Sequence, residues 1–130
     1  MHSYYSKIII SLLTFLFFTI GFARQLDMFF GTGGRGSQGI YYATFNPENG
    51  KFTPSKLAAK IGSPGFLTTH PNGKILYLLG RWDEGSGALG YKIGKKGELT
   101  EFTRMVCSDG GGCHISVHPS GKFLLTAQYG

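Results

Sequence analysis

The string His70-Pro71-Asn72-Gly73-Lys74-Ile75-Leu76 returns 48 positions later as His118-Pro119-Ser120-Gly121-Lys122-Phe123-Leu124. Only Asn72/Ser120 and Ile75/Phe123 differ between the two. An echo of this length reads as one turn used once in each of two structural units. Proline pre-sets φ for the second position of a tight turn, Asn or Ser suits the third, and glycine takes the left-handed conformation that a Cβ resists. The pattern therefore predicts a hairpin, with positive φ at Gly73 and Gly121.

The flanks agree with a hairpin. Phe66–Thr69 and Ile115–Val117 are short and β-prone, while Ile75–Leu79 and Phe123–Ala127 are nearly continuous apolar runs. A continuous run of strand length suits a strand covered on both faces. A period of roughly 40–50 residues is that of propeller blades, whose middle strands are covered in this way by a neighbour on each side. A second echo supports the period: Gly50-Lys51-Phe52-Thr53 recurs as Gly97-Glu98-Leu99-Thr100, 47 positions on.

Residues 1–23 are of a different kind. Lys7 is the only charge, Ile8–Ile20 is mostly apolar, and Gly21-Phe22-Ala23 offers small residues for cleavage. The apolar core is short for a membrane crossing, which needs about 20 residues. The expectation is a secretory signal peptide, removed after Ala23, and a secreted or periplasmic product with no stable membrane association. Loss of Lys7 leaves twelve basic and seven acidic residues, a net charge of +5 against +6 for the whole chain. The basic residues are scattered, without the stripe or stacking motif of a nucleic-acid binder.

Residues 24–130 show no amphipathic helix, and turn signals recur about every ten residues. Strands are expected over 28–32, 39–46, 52–60, 66–70, 74–80, 88–93, 98–106, 114–118 and 122–128. The fold class is all-β: a β-propeller fragment with about one complete four-stranded blade (residues 66–106) and two partial blades. Because such units bury their faces only against neighbours, the chain reads as the N-terminal part of a longer propeller, inactive alone.

The ordered motifs carry a family resemblance. They are Phe30-Gly31-Thr32, Gly39-Ile40-Tyr41, Phe45–Thr53, Pro64–Leu67 leading into the first repeated turn, and Cys113–Leu125. Together they resemble the start of the lactonase-type seven-bladed β-propellers, which include propeller-type 6-phosphogluconolactonases and carboxymuconate-cyclising enzymes. The resemblance implies a lactone hydrolase acting on a sugar lactone, without a cofactor, and further site residues in later blades. Alternatives are a cyclising lyase and a non-enzymatic binding platform. Export sets the expected lactone apart from the cytosolic 6-phospho intermediate. The chain departs from the family pattern at Gly80-Arg81, at Gln128-Tyr129-Gly130, and at His70 and His118, where an acid usually precedes the proline.

Candidate site residues follow from where the strands open toward a central channel. His114 begins an innermost strand, where a neutral imidazole can take a proton from an attacking water. The competing role is a structural hydrogen bond. Arg81, Trp82, Asp83 and Glu84 form the densest polar-aromatic cluster, in the loop after the second strand of a blade. Arg81 can stabilise an oxyanion or hold an anion, and Glu84 can act as base or orient His114. Trp82 and Asp83 are candidates for substrate binding, as is Arg35 in a glycine-rich loop at the channel mouth. That loop, Gly31–Gly36, is no phosphate loop, because a strand follows it where a helix N-terminus is needed. Cys107 and Cys113 bracket a flexible stretch and are expected to pair as a disulfide in an exported protein. A haem motif needs a closer cysteine spacing, and a zinc site needs more ligands, so no metal is expected.

Overall fold

The computed structural model describes residues 24–107 and 111–129. The expected signal peptide lies outside the described residues. Among them there is no α-helix, and no helix long and apolar enough to cross a membrane.

Among the described residues ten strands form three antiparallel sheets. The first sheet holds β1 (Leu26–Gly31), β2 (Gly39–Asn46), β3 (Lys51–Phe52) and β4 (Lys56–Lys60); β3 and β4 both pair with the same edge of β2. The second runs β5 (Leu67–Thr69), β6 (Ile75–Trp82), β7 (Gly85–Ile93), β8 (Leu99–Val106) in spatial order. The third pairs β9 (Gly112–Val117) with β10 (Leu124–Gln128). The complete blade is thus the second sheet, with a partial blade on either side, as the repeat predicts.

One strand expected over 52–60 is two. Pro54 has no N–H for the ladder and breaks it. Thr53 spans the break: its N–H donates to Thr44 O at 3.0 Å, and its Oγ1 accepts the Thr44 N–H at 2.9 Å. The loop expected at Arg81–Glu84 is shorter than its sequence suggests. Arg81 and Trp82 end β6, Trp82 pairs with Gly85, and Asp83-Glu84 alone make the turn.

β6 is buried from both sides. Leu76 and Leu78 join Ile40, Ile61, Leu89 and Tyr91 in the core between the first and second sheets. Leu79, on the opposite face, joins Ala88 and Ile115 in the core against the third sheet, with Tyr77 packed beside them. Each such buried aliphatic chain contributes roughly 1.5–3 kcal/mol relative to exposure.

The two repeated turns are alike bond for bond. Gly73 N–H donates to His70 O and Gly121 N–H to His118 O, both at 2.8 Å. His70 N–H donates to Ile75 O and His118 N–H to Phe123 O, both at 2.9 Å. Gly73 has φ +69° and Gly121 φ +73°, as predicted. The histidines brace the turns: Nδ1 of His70 accepts the Asn72 N–H at 3.1 Å, and Nδ1 of His118 accepts the Ser120 N–H at 3.2 Å. His70 also reaches across sheets, with Nε2 3.1 Å from Gly121 O.

These turns make a graded prediction. Alanine at Gly73 meets open space and suffers only the left-handed backbone, about 1–2 kcal/mol. Alanine at Gly121 meets the same backbone and also the His70 ring. Urea unfolding should therefore show Gly121→Ala to be the more destabilising; the reverse order would remove the inter-sheet role of His70.

Candidate functional site

Antiparallel pairing sends the connections to opposite ends of the sheets. The repeated turns lie at one end with the 3₁₀ turn Lys95–Gly97. At the other end lie the loop 32–38, the crossing 61–66, the turn Asp83-Glu84, the end of β8 and the start of β9. Every candidate residue except Arg35 belongs to, or lies near, the last four of these.

Alternation along β6 separates Trp82 from Arg81. Trp82 lies on the side of Leu76 and Leu78 and packs against the core shared with the first sheet. There it meets residues that sequence reading did not single out. The Arg104 guanidinium sits 4.8 Å from the centre of the Trp82 ring. Arg104 also grips Glu101 with two of its nitrogens, Nε to Oε1 at 2.8 Å and Nη2 to Oε2 at 2.9 Å. The Tyr91 hydroxyl donates to Glu101 Oε2 at 3.1 Å. Hydrogen bonds from Arg104, chiefly, hold the Glu101 carboxyl below its ordinary range. Burial first, then the Glu101 charge, pushes the Tyr91 phenol up to about 12.

In a regular strand Glu101 and Arg104 face opposite ways. Here the register shifts beside Gly90: Gly90 pairs with Thr103 but Tyr91 with Glu101, leaving Phe102 as the extra residue of a bulge. The bulge turns both charges to one face. Sequence alone gives no signal for it, which is why this network is absent from the expectations above.

A cleft of about 700 Å³ opens beside this network. Arg81, Trp82, Asp83 and Glu84 all line it, with Lys60 and Arg104. The expected cluster is therefore brought together. Arg35 is not part of it. It sits between Gly34 (φ +90°) and Gly36 (φ +84°) in a loop braced by Ser37 Oγ, which donates to Thr32 O at 2.6 Å. It lines a separate cleft of about 640 Å³, with Phe30, Tyr41 and Phe52, on the first sheet's face turned away from the second.

His114 stands apart as well. It is exposed on β9, and its ring meets Phe66 edge-on with centroids 5.2 Å apart. Among the described residues no hydrogen bond joins it to Asp83 or Glu84. The expected disulfide is not formed either: Cys107 and Cys113 are both free thiols. Cys107 donates its N–H to Ser86 O at 3.0 Å, at the outer side of the second sheet. Cys113 belongs to the third sheet, with Sγ 3.5 Å from Ala127 O, while its neighbour Gly112 packs on Leu79 of β6.

Three sheets that repeat about every 47 residues, packed face to face with innermost strands β5 and β9 in contact, define a segment of a β-propeller with a polar, glycine-rich mouth. Residues 27–130 match the family model described as lactonase, 7-bladed beta-propeller, and the chain belongs to that family. It is 38% identical over 95 residues to the 6-phosphogluconolactonase of Bacillus subtilis (strain 168), covering 72% of this chain and 27% of that protein. A solved structure from Bacteroides fragilis NCTC 9343, provisionally assigned as a 6-phosphogluconolactonase, superposes with TM-score 0.71 at 26% identity, over 81% of this chain and 30% of that one. A structure from Bacteroides uniformis ATCC 8492, with the same provisional assignment, gives TM-score 0.72 at 26% identity, over 81% of this chain and 31% of that one. The chain thus spans less than a third of the length of these relatives.

The Tyr91 network yields a spectroscopic prediction. Its phenolate absorbance should rise near pH 12, where free tyrosine ionises near 10. Glu101→Gln should recover only part of the shift, since burial is the larger cause. A folded pKa above the unfolded value means that this stabilisation is complete below about pH 10 and is lost between pH 10 and 12. An ordinary titration of Tyr91 would show that the phenol is not buried against Glu101.

Proposed function

We propose that the protein works as a lactone hydrolase of the 6-phosphogluconolactonase-like propeller type, opening a sugar lactone by attack of water. The observation that carries this reading is the 38% identity to the Bacillus subtilis enzyme, over 72% of the chain. The concentration of Arg81, Trp82, Asp83 and Glu84 in one cleft at the mouth supports it.

Water adds to the lactone carbonyl carbon, the carbonyl oxygen becomes an oxyanion, and collapse breaks the ring C–O bond to leave a hydroxy acid. His114 is assigned to the proton of the attacking water. Arg81 stabilises or anchors the negative charge that develops. Glu84, exposed in the β6–β7 turn, is a second candidate base. Trp82 and Asp83 are assigned to the substrate on the strength of the shared cleft. Arg35, in its own cleft, would reach substrate only by a different approach. Export through residues 1–23 belongs to the same proposal and points to an extracellular or periplasmic sugar lactone.

The test is lactone opening by the full-length protein, followed with a pH indicator against spontaneous hydrolysis, using glucono-δ-lactone and its 6-phospho ester. A rate above background is expected. His114→Ala should lower it by roughly 10²-fold if the imidazole is the base. No excess rate on any sugar lactone would overturn the enzyme reading. Full activity in His114→Ala would overturn the assignment of the base while leaving the activity.

A further inference from the structure

We infer that the seam between the second and third sheets holds a subsite for a small oxyanion on a polyol, built on Arg81; the link to substrate rests on the lactonase reading above. Alternation along β6 puts Arg81 on the side of Leu79, which is buried against the third sheet. A recess of about 180 Å³ opens there, lined by Arg81, Ser63, Ser86, Gly65, Gly87 and Gly112, among others. With a water occupying about 30 Å³ of liquid, this is room for a carboxylate or phosphate with part of its carbon chain, and too little for a nucleotide.

Two glycines of its wall are fixed by the packing behind them. A Cβ at Gly87 would run into Met105 O, and one at Gly112 would come within 2.8 Å of the Leu79 side chain. Its hydroxyls are placed by the backbone. Ser86 is the cross-strand partner of Arg81, so the two side chains rise from the same face with Cβ atoms about 5 Å apart. Ser63 comes from the crossing between sheets and has φ +42°, one of two non-glycine residues described with positive φ. The crossing is tied down on both sides of it. Gly62 N–H donates to Arg81 O at 3.0 Å, Arg81 N–H to Gly62 O at 2.8 Å, and Gly65 N–H to Leu79 O at 2.8 Å. A residue held in a sparsely populated conformation beside a recess is a reason to look for function there.

Among the described residues Arg81 is the only charged one lining the recess, and among them it forms no salt bridge. Asp83 and Glu84 do not line this recess; they share with Arg81 the cleft on the other side of β6. A guanidinium presents a planar fork that fits two oxygens of a carboxylate or phosphate, and two serine hydroxyls can donate to the rest. Two substrate features fit this chemistry: the carboxylate of the opened acid and a phosphate ester carried by the lactone.

Calorimetric titration of the full-length protein tests the inference, with gluconate, glucose 6-phosphate and glucose as probes. At least one anion should bind where glucose does not. Gluconate binding alone assigns the recess to the product carboxylate, and glucose 6-phosphate binding alone to a phosphate ester. Arg81→Gln should weaken that anion about tenfold or more, with Arg81→Lys between the two. Ser63→Ala, which keeps the charge, should give a smaller loss. Glucose binding as well as the anions, no binding of either anion, or wild-type affinity in Arg81→Gln would overturn the subsite. The two readings separate cleanly. Anion binding that depends on Arg81, without lactone opening, overturns the hydrolase and keeps the subsite; lactone opening with anion binding indifferent to Arg81 does the reverse.

Discussion

The molecule depends on β6 being covered from both sides. Leu78 is fully buried against the first sheet, and Leu79, the next residue, is buried against the third. A strand in that position cannot slip by one residue without exchanging its two packed faces. Gly80 closes the arrangement: a Cβ there would come within 2.9 Å of Ile61 and 3.0 Å of Leu89. The same alternation then continues past the core. It delivers Trp82 to the seam with the first sheet and Arg81 to the seam with the third. The polar residues of the mouth are thus positioned by hydrophobic packing several residues away, and neither needs a loop of its own to hold it.

This explains which parts of the molecule are legible in the sequence. The paired turns are legible because proline and glycine have few conformations to choose from, and both glycines have the expected positive φ. The all-β class and the order of the strands follow from the apolar runs between such turns. The Trp82 surroundings were not legible. They depend on a one-residue bulge at Phe102 that puts Glu101 and Arg104 on one face, and strand periodicity predicts the opposite. The break at Pro54 was legible in principle from the missing N–H. The Cys107–Cys113 pairing rests on spacing along the chain alone, and both residues are free thiols, one beside the second sheet and one in the third.

The two ends of the sheets are built on different uses of glycine. At the end with the repeated turns, glycines receive aromatic rings from the preceding sheet. Gly97 (φ +74°) lies against the Tyr42 ring, and Gly121 (φ +73°) against the ring of His70. Tyr42 is itself fixed by a hydrogen bond to Asp27 at 2.5 Å. At the mouth, Gly87 and Gly112 are instead required by backbone and aliphatic packing, against Met105 O and the Leu79 side chain. Both ends are thus closely packed, an arrangement suited to a rigid scaffold with a site at one face.

The histidine before each turn proline braces its turn, and His70 does more than a carboxylate in its place could do. A carboxylate at that position can accept the N–H two residues on, and the imidazole does the same through Nδ1, at 3.1 Å in His70. Accepting there leaves the proton on Nε2. A carboxylate has no donor to offer in that direction. The His70 Nε2–H does, and it donates across the seam to Gly121 O at 3.1 Å. His70 therefore keeps the brace within its turn and adds a bond between successive sheets, at the end opposite the mouth.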